Sequence, residues 1–293
     1  MNSADTDIFE AQRPALMALA YRMLGERPAA EDVLQEAWLR WERTDRASVR
    51  SPAAWLRSTA MRIAIDGLRS ARVRREVYVG PWLPEPLIDG DARGPEDAYI
   101  LAQECELALL WAMERLAPEE RAAFILREAF DADYSDIAAT LGKSETACRK
   151  LVSRAGKRVH EAGPRFEASD DETADLLARF AMAVTAQDMP AVMSLLAPDA
   201  VAYTDGGGKV RAALRPLIGA DEVAHVLMSV VAKSEGVGAT NLTRANGTIA
   251  LALLEGGSSD MLTVIAPDEK GQIAWIYVMR NPDKLPATRG RAD

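Results

Sequence analysis

The sequence predicts a multidomain protein in which two all-α domains, the second with a helix-turn-helix, precede an α+β domain. Apolar residues recur at helical intervals over residues 5–78 and 95–165, which indicates two groups of amphipathic helices. Residues 79–94 separate these groups and are rich in proline and glycine, so they cannot continue a long helix. From residue 168 onwards, helices are followed by runs of β-branched and aromatic residues, which are typical of strands.

The first domain, residues 5–78, is predicted to hold three helices. The first ends at Gly25, and the second, over residues 29–41, has an apolar stripe opposite a polar and largely acidic face. The third begins at Ser51 and Pro52, which suit the N-cap and the first helical position. Residues 50–75 contain seven arginines and one acidic residue, Asp66. These cations, with Trp55 among them, favour a nucleic-acid surface over a merely solvated bundle.

Residues 134–158 predict the helix-turn-helix of the second domain, residues 95–165. Gly142 suits the left-handed C-cap of a short helix, and Ser144 suits the N-cap of the next. Small residues at Ala138 and Cys148 allow the two helices to cross closely. The outer face of the second helix is strongly basic, as expected of a recognition helix in a major groove. A helical hairpin with a solvated basic face is the structural alternative.

Bulk properties limit the class of protein. The net charge is −9, so basic patches lie in acidic surroundings, and the chain is expected to bind DNA weakly alone and to act with a larger partner. Cys105 and Cys148 lie far apart in sequence and are expected to be buried thiols, with no metal site, disulfide or cofactor. The N-terminus lacks a signal-peptide pattern and no run of about 18 apolar residues occurs, which predicts a cytoplasmic protein without membrane contact.

The first domain resembles that of bacterial sigma factors of the extracytoplasmic-function type, through the segments EDVLQEAWLRW and SPAAWLRSTAMRIAIDGLRSARVRR. In that family the first segment docks on RNA polymerase and the second recognises and melts the −10 promoter element, while a helix-turn-helix domain reads the −35 element. The resemblance implies RNA polymerase core, through its β′ clamp and β flap, and promoter DNA as partners. The implied polymerase contacts are Asp32, Gln35, Glu36, Leu39 and Arg40. The implied −10 contacts are Arg57, Arg62, Asp66, Arg69 and Arg72. The implied −35 contacts are Ser144, Glu145, Thr146, Arg149 and Lys150, with Arg154 and Lys157 on phosphates.

The connector, residues 79–94, contains the motif WLPEPL. A flexible tether would not be expected to carry Trp82, Leu83 and Leu87, so this segment is predicted to dock between domains, although a proline-rich spacer remains an alternative. WLPEPL is similar to the linker motif of one sigma-factor group, whose members carry a C-terminal extension that resembles SnoaL polyketide cyclases.

The third domain, residues 168–293, is predicted to be an α+β cone, in which a curved sheet of antiparallel strands wraps around helices and usually leaves a pocket. Helices are expected around residues 176–184, 190–196 and 220–233, and a strand over residues 200–204. Asn246 and Gly247 suit a hairpin turn, and DMLTVIAP and QIAWIYVMR suit strands. This pattern resembles the SnoaL-like, ketosteroid-isomerase-like fold.

The titratable candidates for catalysis in such a pocket are Tyr203, Asp205, His225 and Asp260, but their spacing does not single out a catalytic set, and no catalytic residue is predicted. The segment DGGGK lacks the framing of a Walker loop and could be a plain tight turn. DGGGK and NPDKL are, however, similar to motifs of the same sigma-factor group, which implies a regulatory extension that replaces a separate anti-sigma factor. The implied regulatory residues are Trp82, Leu83, Pro84, Asp205, Gly206, Gly207, Gly208, Lys209, Asn281, Pro282, Asp283, Lys284 and Leu285.

Three interpretations follow from these patterns. The first is a sigma factor, not an enzyme, whose C-terminal cone regulates it; a small-molecule ligand of the cone is a further candidate partner. The second is a SnoaL-type cyclase or isomerase that the N-terminal part merely positions. The third is a repressor that uses only its helix-turn-helix, which would leave the acidic face of the second helix unexplained.

Overall fold

The computed structural model describes residues 3–88, 106–162, 168–233, 239–255 and 258–285. These residues fall into two compact units. One contains residues 3–77 and 109–162, and the other contains residues 78–88, 106–108 and 168–285. Residues 89–105, which comprise the end of the connector and the beginning of the predicted second helical domain with Cys105, lie outside the described part of the chain.

Helices dominate the described residues up to residue 162. Pro28 and Pro52 stand in the first turns of two of them, where a missing N–H costs no helical hydrogen bond. Ser51 caps the third helix, because its hydroxyl accepts a hydrogen bond from the Ala54 amide at 3.4 Å. The helices are α1 (Ser3–Leu24), α2 (Arg27–Arg43), α3 (Pro52–Glu76), α4 (Leu107–Met113), α5 (Pro118–Glu128), α6 (Tyr134–Leu141) and α7 (Glu145–Ala162), with a 3-10 turn at Arg46–Ser48.

In its described residues, the C-terminal domain packs three helices on one six-stranded sheet. Its elements are α8 (Asp170–Thr185), α9 (Met189–Leu195), β1 (Leu196–Asp205), β2 (Leu217–Ile218), α10 (Ala220–Ala232), β3 (Ala239–Ala245), β4 (Thr248–Glu255), β5 (Ser258–Pro267) and β6 (Ile273–Met279). The core lies between the helices and the sheet, with Leu177, Val192, Val223 and Ile276 fully buried there. The predicted α+β class is therefore confirmed.

The sheet is mixed, whereas the sequence pattern predicted antiparallel strands. The strand order is β2-β1-β6-β5-β4-β3, and β1 pairs with β6 in parallel. The β3–β4–β5–β6 meander sets the direction of β6, and β1 enters against the free edge of β6 from the other side. The parallel register places Asp205 opposite Met279, so the ends of both strands, and the segments that follow them, lie side by side.

No helix in the described ranges is both long and apolar enough to cross a lipid bilayer.

Candidate nucleic-acid interface and linker-binding site

The helix-turn-helix forms as its capping residues predict. Gly142 adopts φ 64° and ψ 35°, the left-handed conformation in which a side chain would be strained, and it ends α6. The Ser144 hydroxyl accepts a hydrogen bond from the Ala147 amide at 3.2 Å and so caps α7. Cys148 and Ala155 are fully buried on the inner side of α7. Burial raises the pKa of the Cys148 thiol, as expected of a structural cysteine.

The outer face of α7 is exposed and cationic. All seven residues that the resemblance assigns to the −35 element are exposed: Ser144, Glu145, Thr146, Arg149, Lys150, Arg154 and Lys157. The Arg149 guanidinium lies 4.1 Å from the centroid of the Tyr134 ring, which holds the side chain against the surface of the motif. Such a face can contact phosphates and base edges in a major groove.

A second predicted surface lies on α2. Four of the five residues assigned to polymerase binding are exposed and Glu36 is partly buried; the set is Asp32, Gln35, Glu36, Leu39 and Arg40. Arg40 and Glu36 form an ion pair of 2.8 Å. The opposite face of α2, with Val33, Ala37 and Trp41, is buried in the helical core. The face with the predicted contacts is therefore available to a partner.

The arginines of α3 contact the second helical domain. Arg62 donates to the carbonyl oxygens of Ala139 and Thr140, at 2.8 and 2.9 Å, near the C-terminus of α6. These carbonyls belong to the last turn of a helix, where a cation is favoured. Asp66 and Arg57, the other members of the set, are exposed and partly buried, respectively.

Arg69 and Arg72 make further contacts of this kind. Arg69 lies 3.2 Å from the Glu119 carboxylate and 2.9 Å from Asp66. Arg72 donates to the carbonyl oxygens of Glu114, at 3.2 Å, and of Leu116. Three of the four arginines assigned to the −10 element thus contact residues of the domain that carries the helix-turn-helix.

A buried arginine cluster, defined here as Arg75, Glu114 and Arg121, joins the same two parts. The Glu114 carboxylate accepts hydrogen bonds from Arg75 and Arg121, and the Arg121 side chain is fully buried. The Arg121 guanidinium also donates to the carbonyl oxygen of Arg22 in α1, at 2.8 Å. Burial lowers the pKa of Arg75 and of Arg72, and the Glu114 charge opposes that shift in both. Sequence reasoning missed this cluster, since Arg75 lies 39 positions before Glu114, and Arg22 lies 99 positions before Arg121.

Asp205, the first residue of DGGGK, holds the linker on the C-terminal domain. Its carboxylate is fully buried and accepts four hydrogen bonds. The donors are the Tyr78 hydroxyl at 2.5 Å, the Leu83 amide at 2.9 Å, the Gly207 amide at 3.0 Å and the Lys284 ammonium at 2.8 Å. We call the group Tyr78, Leu83, Asp205 and Lys284 the linker lock. Its members come from the linker, from the end of β1 and from NPDKL.

The three glycines of DGGGK are needed for this arrangement. A Cβ on Gly206 would lie 2.4 Å from the Val210 carbonyl oxygen. Gly207 has φ +63°, and a Cβ there would lie 2.5 Å from the carboxamide of Asn281, which donates to the Tyr78 hydroxyl. A Cβ on Gly208, at φ +70°, would lie 3.2 Å from Val79. The glycines therefore allow β1, the linker and NPDKL to approach one another closely.

The other motif residues have distinct environments. Trp82, Leu83, Pro84, Lys284 and Leu285 are buried. Pro282 is exposed, and Lys209 and Asp283 form an exposed ion pair of 2.6 Å.

A second contact fixes the end of the linker, and the sequence pattern predicted only a turn at this position. The Asn246 side chain accepts a hydrogen bond from the Leu87 amide at 2.9 Å, and the Asn246 amide donates to the Leu87 carbonyl at 2.9 Å. Asn246 has φ 52° and is fully buried, as the first turn residue of the predicted β3–β4 hairpin. Ile88 forms a bridge with Ala245 of β3. Residues 78–88 thus run over the C-terminal domain between two anchors.

The candidate catalytic residues of the cone occupy unrelated environments. Asp205 belongs to the linker lock, and Tyr203 stacks on Trp275 and Tyr277 with centroids 6.0 Å apart. His225 is exposed on α10 and Asp260 is exposed on β5.

Comparisons with known proteins place this chain in a family. Residues 8–74 match Sigma-70 region 2, and residues 106–159 match Sigma-70, region 4. The ECF RNA polymerase sigma factor SigJ of Mycobacterium tuberculosis is 37% identical over 288 residues, which cover 94% of this chain and 92% of SigJ. The probable ECF RNA polymerase sigma factor SigI of the same species is 31% identical over 226 residues, 75% of this chain and 74% of SigI. The crystal structure of SigJ aligns with a TM-score of 0.75 and 33% identity, covering 95% of this chain and 97% of SigJ.

Proposed function

Since the chain belongs to the family of extracytoplasmic-function RNA polymerase sigma factors and carries a C-terminal SnoaL-like domain, we propose that this domain regulates the factor through the linker. The partners are RNA polymerase core and promoter DNA, and the site of action is the cytoplasm. The C-terminal domain stands in place of a separate anti-sigma factor.

The promoter and polymerase contacts are proposed on the surfaces described above. The exposed basic face of α7 reads the −35 element, and the exposed face of α2 binds the polymerase. The arginines of α3 serve the −10 element once they leave the carbonyls and carboxylates that they contact in the free chain. Melting requires cations that hold phosphates, which supports arginines in this role.

The linker lock is the observation that carries the regulatory proposal. A buried carboxylate that accepts hydrogen bonds from two linker residues fixes the linker on the C-terminal domain. Releasing the linker would take the Tyr78 and Leu83 donors from a buried carboxylate, and each buried hydrogen bond lost in this way costs about 1–3 kcal/mol, so the linker is held firmly. The resemblance to sigma factors implies that the linker threads toward the active-site and RNA-exit region of the polymerase. A linker held on the C-terminal domain cannot take that path, and the locked chain is therefore the restrained form.

In-vitro transcription with core polymerase tests the proposal. The full chain, residues 1–166 and the full-length Asp205→Ala variant are compared on templates carrying a selected promoter. Asp175→Ala is the matched control, because it removes an exposed ion pair from the same domain. We expect the truncated chain and Asp205→Ala to give more transcript than wild type, while Asp175→Ala behaves as wild type. Equal transcription from all four proteins would reject regulation by the C-terminal domain.

The proposal assigns no catalytic role to the SnoaL-like domain. A general base needs a carboxylate that can reach a substrate, and the Asp205 carboxylate already accepts four hydrogen bonds within the chain. The relatives that match over most of the chain are named as sigma factors.

A further inference from the structure

The ammonium group of Lys284 lies in a cage of aromatic rings and oxygen atoms. Its Nζ atom is 2.8 Å from Asp205 Oδ2 and donates to the Leu83 carbonyl oxygen at 2.7 Å. The same atom lies 4.2 Å from the centroid of the Trp82 ring and 5.1 Å from that of the Tyr78 ring. Aromatic faces combined with a carboxylate are the means by which proteins recognise ammonium groups.

Burial distinguishes this cage from an ordinary ion pair. The side chains of Lys284 and Asp205 are 7% and 0% exposed, whereas those of Lys209 and Asp283 are 54% and 60% exposed. Both pairs join DGGGK to NPDKL, and their nitrogen–oxygen distances are similar, but only the Lys284–Asp205 pair is shielded from water. An ammonium that leaves water is bound firmly only where charge, hydrogen bonds and ring faces replace its hydration.

The walls and the occupant of the cage come from different segments. Tyr78, Trp82 and Leu83 belong to the linker, Asp205 ends β1, and Lys284 reaches in from the segment after β6. The ammonium group therefore joins three segments at one point. An occupant that supplies the same group without the covalent connection should fill the same cage.

We propose that this cage is a binding site for a primary alkylammonium group, which Lys284 fills from within the chain and a free amine fills when that side chain is absent. Propylammonium is the probe, because it replaces the atoms that Lys284→Ala removes. The proposal depends on the contacts of the cage and not on transcription, so regulation by the C-terminal domain could fail while this site stands.

Hydrogen exchange of residues 79–88 in the full-length chain tests the proposal. The amides of Leu83 and Leu87 donate to Asp205 and Asn246, and they report whether the linker is held. In Lys284→Ala we expect these amides to exchange about 100-fold faster than in wild type, because the buried Asp205 charge loses its partner. Propylammonium at saturating concentration should restore most of the protection, and the wild-type chain should not respond to it.

Three controls separate recognition of an ammonium from simple filling of a cavity. 1-Propanol has nearly the same size without the charge and should not restore protection in Lys284→Ala. Lys209→Ala should retain wild-type exchange with or without the amine. Adding Trp82→Leu to Lys284→Ala should weaken the binding of propylammonium about 30-fold, the value of a desolvated cation–π contact.

Each result decides the proposal. Restoration by propylammonium but not by propanol supports it. Equal restoration by both compounds, no restoration by the amine, or wild-type protection in Lys284→Ala would overturn it. If Lys284→Ala is insoluble alone, soluble yield becomes the readout: recovery with propylammonium and not with propanol supports the site, and equal yields overturn it.

Discussion

Within the helical unit, α3 contacts the loop that joins α4 to α5. Replacing Glu114 with glutamine should separate α3 from this loop. Glu114 neutralises two guanidinium groups, those of Arg75 and Arg121, and the three side chains are 12%, 13% and 0% exposed. Glutamine keeps the shape and one acceptor oxygen but removes the charge. The two remaining cations would then repel each other within the closed interface.

The size of the effect follows from the burial of the cluster. Removing one partner of a buried ion pair costs about 3–5 kcal/mol. Because glutamine still accepts a hydrogen bond and the cluster retains slight exposure, the lower value applies here, about 3 kcal/mol. That energy shifts the balance between closed and open chains about 100-fold towards the open form.

Binding to a labelled single-stranded DNA of mixed sequence, followed by fluorescence anisotropy at low salt, measures this shift. Opening releases Arg72 from the Glu114 and Leu116 carbonyls, so the affinity of Glu114→Gln should rise, by at most about 100-fold. Circular dichroism checks that the helices persist.

Glu119→Gln is the matched control for this experiment. Glu119 pairs with Arg69 and Lys143 at 3.2 and 3.0 Å, but all three side chains are about one third exposed or more. Such pairs contribute about 0–1 kcal/mol, so the affinity should change less than about fivefold. A helical Glu114→Gln chain with wild-type affinity, or an equal gain in Glu119→Gln, would refute a closed interface maintained by Glu114.

Three further changes have defined outcomes. Gly207→Ala should destabilise the C-terminal domain by about 2–4 kcal/mol through strain and overlap, whereas Gly271→Ala, with φ +73° and open space, should cost about 1–2 kcal/mol; urea unfolding compares them. Arg149→Glu should weaken binding to duplex carrying the −35 element by about 1–3 kcal/mol per lost base contact, measured by gel shift. Hydrogen bonds from Ser169 lower the pKa of Glu172. The stability that this carboxylate gives to the folded state is therefore complete above about pH 4.3 and is lost as pH falls through the folded-state pKa. Glu172→Gln should therefore make the unfolding temperature depend less on pH between about pH 2 and 6.

Controls and contrary results are equally specific. Arg179→Glu changes an exposed arginine of α8 that pairs with Asp175, and it should leave DNA binding unchanged. Equal costs for Gly207→Ala and Gly271→Ala would show that overlap with Asn281 is unimportant. Unchanged DNA affinity in Arg149→Glu would remove that residue from the −35 set. If the unfolding temperature of Glu172→Gln depended on pH as in wild type, the pKa argument would be contradicted.

Local rules predicted the local structure well. The cap at Gly142, the cap at Ser144 and the hairpin turn at Asn246 depend on neighbouring residues, and each forms as expected. Periodicity also identified the helices and the fold class, because each buried stripe is visible within a few turns of sequence.

Contacts between distant segments were beyond these rules. Tyr78 and Asp205 are 127 positions apart, and Arg62 and Thr140 are 78 apart, so spacing could not pair them. Family motifs marked Asp205 and Lys284 but not the bond between them, and they missed Tyr78 and Asn246 entirely. The parallel pairing of β1 with β6 was unexpected for the same reason, since strand order is a property of the whole sheet.

The position of the linker in the chain has a consequence for newly made protein. Residues 78–88 leave the ribosome about 200 residues before Lys284, which at about 5–20 residues per second is a delay of about 10–40 s. Both helical domains are complete within that interval, while the segment that secures the linker has not been translated. The two helical domains can therefore fold before the linker is secured, and under the proposed regulation restraint is the last property that a newly made chain acquires.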